Sequence, residues 1–108
     1  MPKYNKLIRD KIPEIIKKNE KIPLIETIDD NTYYKELIKK LKEEVDEFIG
    51  NDEAEEIADI LEVLEALIKA KGMSIEDINK IKEEKKEKRG GFEKKIFLKE
   101  VIDWIDCF

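Results

Sequence analysis

Histidine is absent from this chain of 108 residues, and cysteine occurs once, as Cys107. Without histidine, a zinc site of the usual kind and a histidine general base are both excluded. A single thiol cannot form an internal disulfide, which is typical of proteins in a reducing cytoplasm. The N-terminal residues are too polar for a signal peptide, and no apolar run approaches the length of a membrane span. These absences predict a cytoplasmic protein with no membrane partner.

Glycine and proline are also sparse, whereas charged residues make up 45% of the chain and apolar residues 41%. This composition suits amphipathic helices better than disorder, and the length predicts one domain spanning residues 1–108. The net charge is -5. Because proteins that bind nucleic acid polymers normally carry a basic balance or a basic face, we do not expect such a partner.

The spacing of apolar residues and of helix-ending residues predicts a mainly α fold with four helices. The expected spans are 10–19, from 31 or 32 to 49, from 51 or 52 to just before Gly72, and from Ser74 to Gly90. β-Branched residues also suggest two short strands, near 22–28 and 95–101.

Four acidic side chains occupy matching positions on the second and third helices. Glu44 and Glu47 are three residues apart beside the apolar face of one helix, and Glu56 and Asp59 repeat this arrangement on the next. The short connection at 50–52 makes the two helices antiparallel neighbours. If the chain turns between positions 51 and 52, Glu47 comes level with Glu56. The same turn brings Glu44 level with Asp59.

Carboxylates that converge beside an apolar seam repel one another and lose hydration unless a cation completes the site. Oxygen ligands without histidine or cysteine favour Mg²⁺, with Mn²⁺ as the second choice. The alternative interpretation is a solvated acidic surface, because glutamate is abundant in this chain. Two acidic pairs mirrored about one tight turn are more specific than a single pair, so the sequence favours a divalent metal site.

At these residues the chain resembles the all-α nucleoside triphosphate pyrophosphohydrolases, the MazG-like superfamily. Their signature, EExxE followed by ExxD, reads here as Glu43-Glu44-Val45-Asp46-Glu47 and Glu56-Ile57-Ala58-Asp59. The gap between the halves is shorter than in many members. Two further stretches resemble the phosphoribosyl-ATP pyrophosphohydrolase-like branch of that superfamily, namely Tyr4–Pro13 and Lys85–Phe92.

The resemblance implies Mg²⁺-dependent hydrolysis of nucleoside triphosphates between the α and β phosphates, giving a monophosphate and pyrophosphate in a house-cleaning role. It implies that Glu44, Glu47, Glu56 and Asp59 hold the metal. It also makes Glu43 a candidate to support the ligands or to activate water. Members of the family commonly build the site from helices of more than one subunit.

In a chain without histidine, a metal-activated water is the simplest nucleophile. Either Glu47 or Glu43 could accept its proton, and the sequence leaves this choice open. The phosphate charge also needs cationic partners. The two arginines of the chain are the stronger candidates, because a guanidinium group binds phosphate through two hydrogen bonds. The full set of candidate cations is Arg9, Lys11, Lys85, Arg89 and Lys6.

One hairpin with a helix on either side makes a thin core. Two copies would complete a four-helix bundle, so we expect a homodimer or a dimer of dimers. Two other functions stay open. One is phosphoribosyl-ATP hydrolysis in histidine biosynthesis, and the other is a non-catalytic, metal-binding helical oligomerisation module.

Overall fold

The computed structural model describes residues 4–103, and within this range the protein is mainly α, as predicted. The chain divides between Ile75 and Glu76 into two compact units. Four α-helices occur in the described range: α1 (Ile12–Lys18), α2 (Asp30–Asn51), α3 (Ala54–Ala70) and α4 (Ile75–Arg89). No helix within residues 4–103 has both the length and the apolar character needed to cross a membrane.

Helix α2 begins at a side-chain cap. The Oδ1 atom of Asp29 accepts a hydrogen bond of 2.8 Å from the backbone N–H of Thr32, which satisfies one of the free donors of the first turn. This bond to the carboxylate lowers the pKa of Asp29 below its ordinary value of 3.8. The cap therefore stabilises the start of α2 one residue earlier than the sequence predicts.

The end of α2 differs from the prediction. Gly50 is expected to follow the helix, but α2 continues through Asn51. Asp52 instead adopts the left-handed conformation with φ 53°, and its N–H donates to the carbonyl oxygen of Phe48 over 2.7 Å. Aspartate tolerates this conformation better than most residues. Only Asp52 and Glu53 then separate α2 from α3, so the two helices form an antiparallel hairpin.

The hairpin packs two amphipathic helices against each other. Leu37 of α2 and Val63 of α3 are its buried apolar residues in the described range. Helix α3 ends at Ala70 and is capped by Lys71, after which Gly72 has φ +75° and the N–H of Met73 donates to the carbonyl oxygen of Ile68. Glycine carries no Cβ, so it adopts this conformation without steric cost. The predicted end of α3 before Gly72 is confirmed.

The short strands suggested near 22–28 and 95–101 do not form within residues 4–103. A strand needs a neighbour for its backbone N–H and C=O groups, and the described chain supplies none to either segment. Pro23 also removes one donor from the first segment. Their apolar side chains are strongly exposed instead: Ile22, Leu24, Ile25, Ile96, Phe97, Leu98 and Val101.

Candidate divalent metal centre

Three glutamates of α2 converge at one edge of the hairpin. Glu43, Glu44 and Glu47 each offer a carboxylate oxygen, and these oxygens all lie within 4.8 Å of one another. The helix period explains the cluster, because Glu47 is four residues after Glu43 and three after Glu44, and both spacings place side chains next to each other on a helix surface. We name this group the α2 acidic cluster.

Glu44 is the buried member of the α2 acidic cluster, with only 6% of its surface exposed. Its Oε1 atom lies 3.3 Å from the Nζ atom of Lys40, one helical turn earlier. Its Oε2 atom is buried and has no hydrogen-bond partner among the described residues. A buried carboxylate oxygen without a partner is costly, so this atom is a candidate acceptor for a water molecule or a cation.

Glu47 is exposed, yet its pKa is raised above the ordinary value of 4.5. The main cause is a hydrogen bond with the Glu44 carboxylate, which Glu47 can make only while it holds a proton. Repulsion by the charge of Glu44 acts in the same direction. Two ionised carboxylates repel each other, and Lys40 beside Glu44 offsets this repulsion only in part. The raised pKa of Glu47 and the unpartnered Oε2 atom of Glu44 thus occur at the same edge of α2.

Glu43 is in a different electrostatic state. Its Oε1 atom accepts a hydrogen bond of 2.9 Å from the Nζ atom of Lys6, and its Oε2 atom lies 3.3 Å from the Nζ atom of Lys40. The hydrogen bond from Lys6 is the main reason that the pKa of Glu43 falls below 4.5. Glu43 is therefore an ionised carboxylate whose charge is already compensated within the chain.

The two predicted ligands of α3 have other partners and do not belong to the α2 acidic cluster. The Oε1 atom of Glu56 accepts a hydrogen bond of 3.1 Å from the side-chain amide of Asn51. The Oε2 atom of Glu56 is buried and lacks a hydrogen-bond partner within residues 4–103, like that of Glu44. Asp59 forms an ion pair with Arg9, with 2.7 Å between Oδ1 and Nη2. Glu56 thus keeps one oxygen free, whereas Asp59 already has a cation.

The predicted phosphate-binding cations are distributed over both units. Lys6 and Arg9 reach the acidic residues of the hairpin through the ion pairs with Glu43 and Asp59. Lys11 is exposed immediately before α1. The remaining two candidates are exposed on α4, most of which lies in the second unit: Lys85 and Arg89.

Two residues at the site are not among those selected from the sequence. Lys40 contacts both Glu43 and Glu44, and Asn51 binds Glu56. Lys40 could have been found, because a lysine three and four residues before two glutamates lies on the same side of the helix. Asn51 could not, because its contact depends on α2 continuing past Gly50.

The side chains present fit a small, hard cation. The cluster offers carboxylate oxygens alone, which is the donor set that Mg²⁺ and Mn²⁺ favour. The bare buried oxygens of Glu44 and Glu56 are the observation that supports this fit. Lys40 offsets part of the negative charge, but each of its contacts is on an oxygen other than the Oε2 atom of Glu44.

The chain is similar to an uncharacterized protein of Mycolicibacterium smegmatis, with 44% identity over 46 residues. The match covers 43% of this chain and 47% of that protein, so it spans about half of each. No protein-family profile matches the chain. No solved structure matches it either.

Proposed function

We propose that this protein is a Mg²⁺-dependent nucleotide pyrophosphohydrolase that cleaves nucleoside triphosphates between the α and β phosphates. The observation that carries the proposal is the α2 acidic cluster, with the unpartnered Oε2 atom of buried Glu44 inside it. The reaction class follows from the resemblance of the two acidic motifs and their flanking segments to the MazG-like superfamily.

The proposed ligands are Glu44, Glu47, Glu56 and Asp59. When bound there, Mg²⁺ would neutralise phosphate charge and make a water molecule more acidic. Glu44 and Glu56 each contribute a bare, buried oxygen. Asp59 would contribute after its ion pair with Arg9 opens.

Two glutamates remain the candidates for accepting a proton from the attacking water. Without a bound cation, Glu44 raises the pKa of Glu47, which makes Glu47 the stronger base of the two in that state. Glu43 has a lowered pKa because Lys6 binds it, so in this state it is the weaker base. Lys6 and Arg9 lie close enough to the acidic edge to serve as phosphate-binding cations once they leave their carboxylates.

A second copy of the chain is the proposed partner, as a homodimer or a dimer of dimers. Large apolar side chains stay exposed on the hairpin helices: Ile38, Val45, Ile49, Ile57, Leu61 and Leu64. Leu37 and Val63 are the buried apolar side chains in the described range, and such a thin core favours a second hairpin that completes a four-helix bundle. Sedimentation equilibrium should give at least twice the monomer mass of 12.8 kDa.

The test of the proposed reaction is pyrophosphate release from a panel of nucleoside triphosphates and phosphoribosyl-ATP, with and without Mg²⁺. The wild type should release pyrophosphate only with Mg²⁺, and Glu47→Gln should lose this activity. Glu62→Gln removes an exposed acid of α3 and serves as the control. Absence of pyrophosphate with every nucleotide, or equal release by wild type and Glu47→Gln, would refute the proposal. Release from phosphoribosyl-ATP alone would assign the chain to that substrate instead.

A further inference from the structure

The segment that precedes α1 contacts both helices of the hairpin through charged side chains. Lys6 reaches α2, where its Nζ atom lies 2.9 Å from Oε1 of Glu43. Three residues later Arg9 reaches α3, where Nη2 lies 2.7 Å from Oδ1 of Asp59. These contacts join residues that are 37 and 50 positions apart in the chain. Two cations of one short segment therefore bind acids at the edges of two different helices.

Both contacts involve the acidic residues around the proposed metal centre. Glu43 belongs to the α2 acidic cluster, and Asp59 is a proposed ligand from α3. Each cation adds one positive charge to an acidic region in which Lys40 already contacts Glu43 and Glu44. The side chains of Lys6 and Arg9 remain 40% and 56% exposed, and ion pairs this accessible to water are weak and open readily.

We propose that Lys6 and Arg9 are internal counter-ions of this site, and that a divalent ion displaces them when it binds. The inference rests on the proposed function, because it takes the same acids to be the metal centre. A divalent ion carries as much charge as the two side chains together, so its binding weakens the attraction that holds each of them. The released lysine and arginine then face a nucleotide phosphate. Metal loading thus prepares the cations for the substrate.

The first test is calorimetric titration of Mg²⁺ at low ionic strength into the wild type, Lys6→Gln and Lys42→Gln. Lys42 is the matched control, because its ion pair with Asp46 lies on the same helix but outside the α2 acidic cluster. Lys6→Gln should bind Mg²⁺ about two- to fivefold more tightly than the wild type, which is the size expected for loss of one exposed competing cation. The Mg²⁺ affinity of Lys42→Gln should differ less from that of the wild type. Equal gains in the two variants, or weaker binding by Lys6→Gln, would overturn the inference.

The second test is the reactivity of Lys6 towards an amine-acylating reagent, read by mass spectrometry with and without saturating Mg²⁺. Lys11 is the internal control, since it is exposed in the same part of the chain. Mg²⁺ should raise the labelling of Lys6 by about twofold or more, because an amine freed from a carboxylate is more accessible. Labelling of Lys11 should stay constant. Unchanged or reduced labelling of Lys6 would contradict displacement.

The outcomes separate this inference from the proposed function. If Mg²⁺ binds and displaces Lys6 but no nucleotide is hydrolysed, the inference stands and the proposed reaction fails. If nucleotides are hydrolysed while Lys6 labelling is unaffected by Mg²⁺, the reaction stands and the inference fails. Absence of Mg²⁺ binding by the wild type would overturn both.

Discussion

The acidic residues of α2 and those of α3 carry the same spacing in the sequence but differ in the folded chain. On α2, Glu44 and Glu47 converge with Glu43 into one cluster of oxygens. On α3, Glu56 binds an amide and Asp59 binds a guanidinium group. Spacing within one helix determines which side chains are neighbours. Alignment across two helices depends in addition on the length of the turn between them.

The turn accounts for the difference. A turn between positions 51 and 52 would place Glu47 level with Glu56. Because α2 continues through Asn51, the turn is centred between Asp52 and Glu53 instead. Counting equally along both helices from this centre places Ala58, and not Glu56, level with Glu47, and a shift of two residues is more than half of a helical turn. The mirrored arrangement predicted from the sequence therefore depends on a helix end that the sequence does not determine.

The largest expected effect is on the rate of pyrophosphate release, and it is tested by replacing one acid of each helix. Glu47→Gln should lower Mg²⁺-dependent pyrophosphate release by at least about 100-fold, because it removes a member of the α2 acidic cluster. Asp59→Asn should lower it by about tenfold, because Asp59 already has Arg9 as a partner. Initial rates at saturating Mg²⁺ measure both. If Asp59→Asn lost as much activity as Glu47→Gln, the two helices would contribute equally to pyrophosphate release, which would contradict the expected difference between them.

A smaller effect tests the turn itself. Gly50 lies inside the last turn of α2, and a Cβ added there would meet nothing within 4 Å. Gly50→Ala should therefore raise the free energy of unfolding by about 0.5–1 kcal/mol, as expected for alanine in a helix interior. Gly72→Ala is the control, since the φ of +75° disfavours any side chain and should make that variant less stable. Urea denaturation measures the free energy of unfolding of both variants. Destabilisation by Gly50→Ala would place the end of α2 before residue 50.

The smallest effect is the pH dependence of the ion pair between Lys6 and Glu43. The pKa of Glu43 is lowered below 4.5, so its contribution to stability is present above pH 4.5 and is lost as the pH falls through the lowered pKa. The pKa of Lys6 is raised above 10.5, chiefly by the hydrogen bond to Glu43, so its contribution is present below pH 10.5 and is lost as the pH rises through the raised pKa. The pair therefore stabilises the fold between these limits.

Lys6→Gln should accordingly lower the free energy of unfolding by about 0.5 kcal/mol at neutral pH, since both partners are partly exposed to solvent. The difference from the wild type should vanish well below pH 4.5. Thermal denaturation of the wild type and of Lys6→Gln, at neutral pH and well below pH 4.5, measures this difference in stability. A difference that persists in acid would mean that Lys6 acts through packing and not through its charge.

The sequence predicts the helical class, the hairpin and the end of α3 well, because apolar spacing and Gly72 are local signals. It also predicts that Glu44 and Glu47 share a side of α2, whereas Glu43 is included only through the family resemblance. The prediction of strands at residues 22–28 and 95–101 was wrong, since strand formation requires a neighbouring strand that a local pattern cannot reveal. The partners of Lys6 and Arg9 lie 37 and 50 residues away, and no local spacing could indicate them.

The proposed divalent metal centre consists of Glu44 and its neighbours on α2. Electron paramagnetic resonance can measure the binding of Mn²⁺ to this centre in the wild type, Glu44→Gln and Asp46→Asn. Asp46→Asn removes the same charge from the same helix outside the α2 acidic cluster. We predict that Glu44→Gln weakens binding at least about tenfold, while Asp46→Asn changes it less than about twofold. Equal losses in the two variants, or a wild type that does not bind Mn²⁺, would contradict the account.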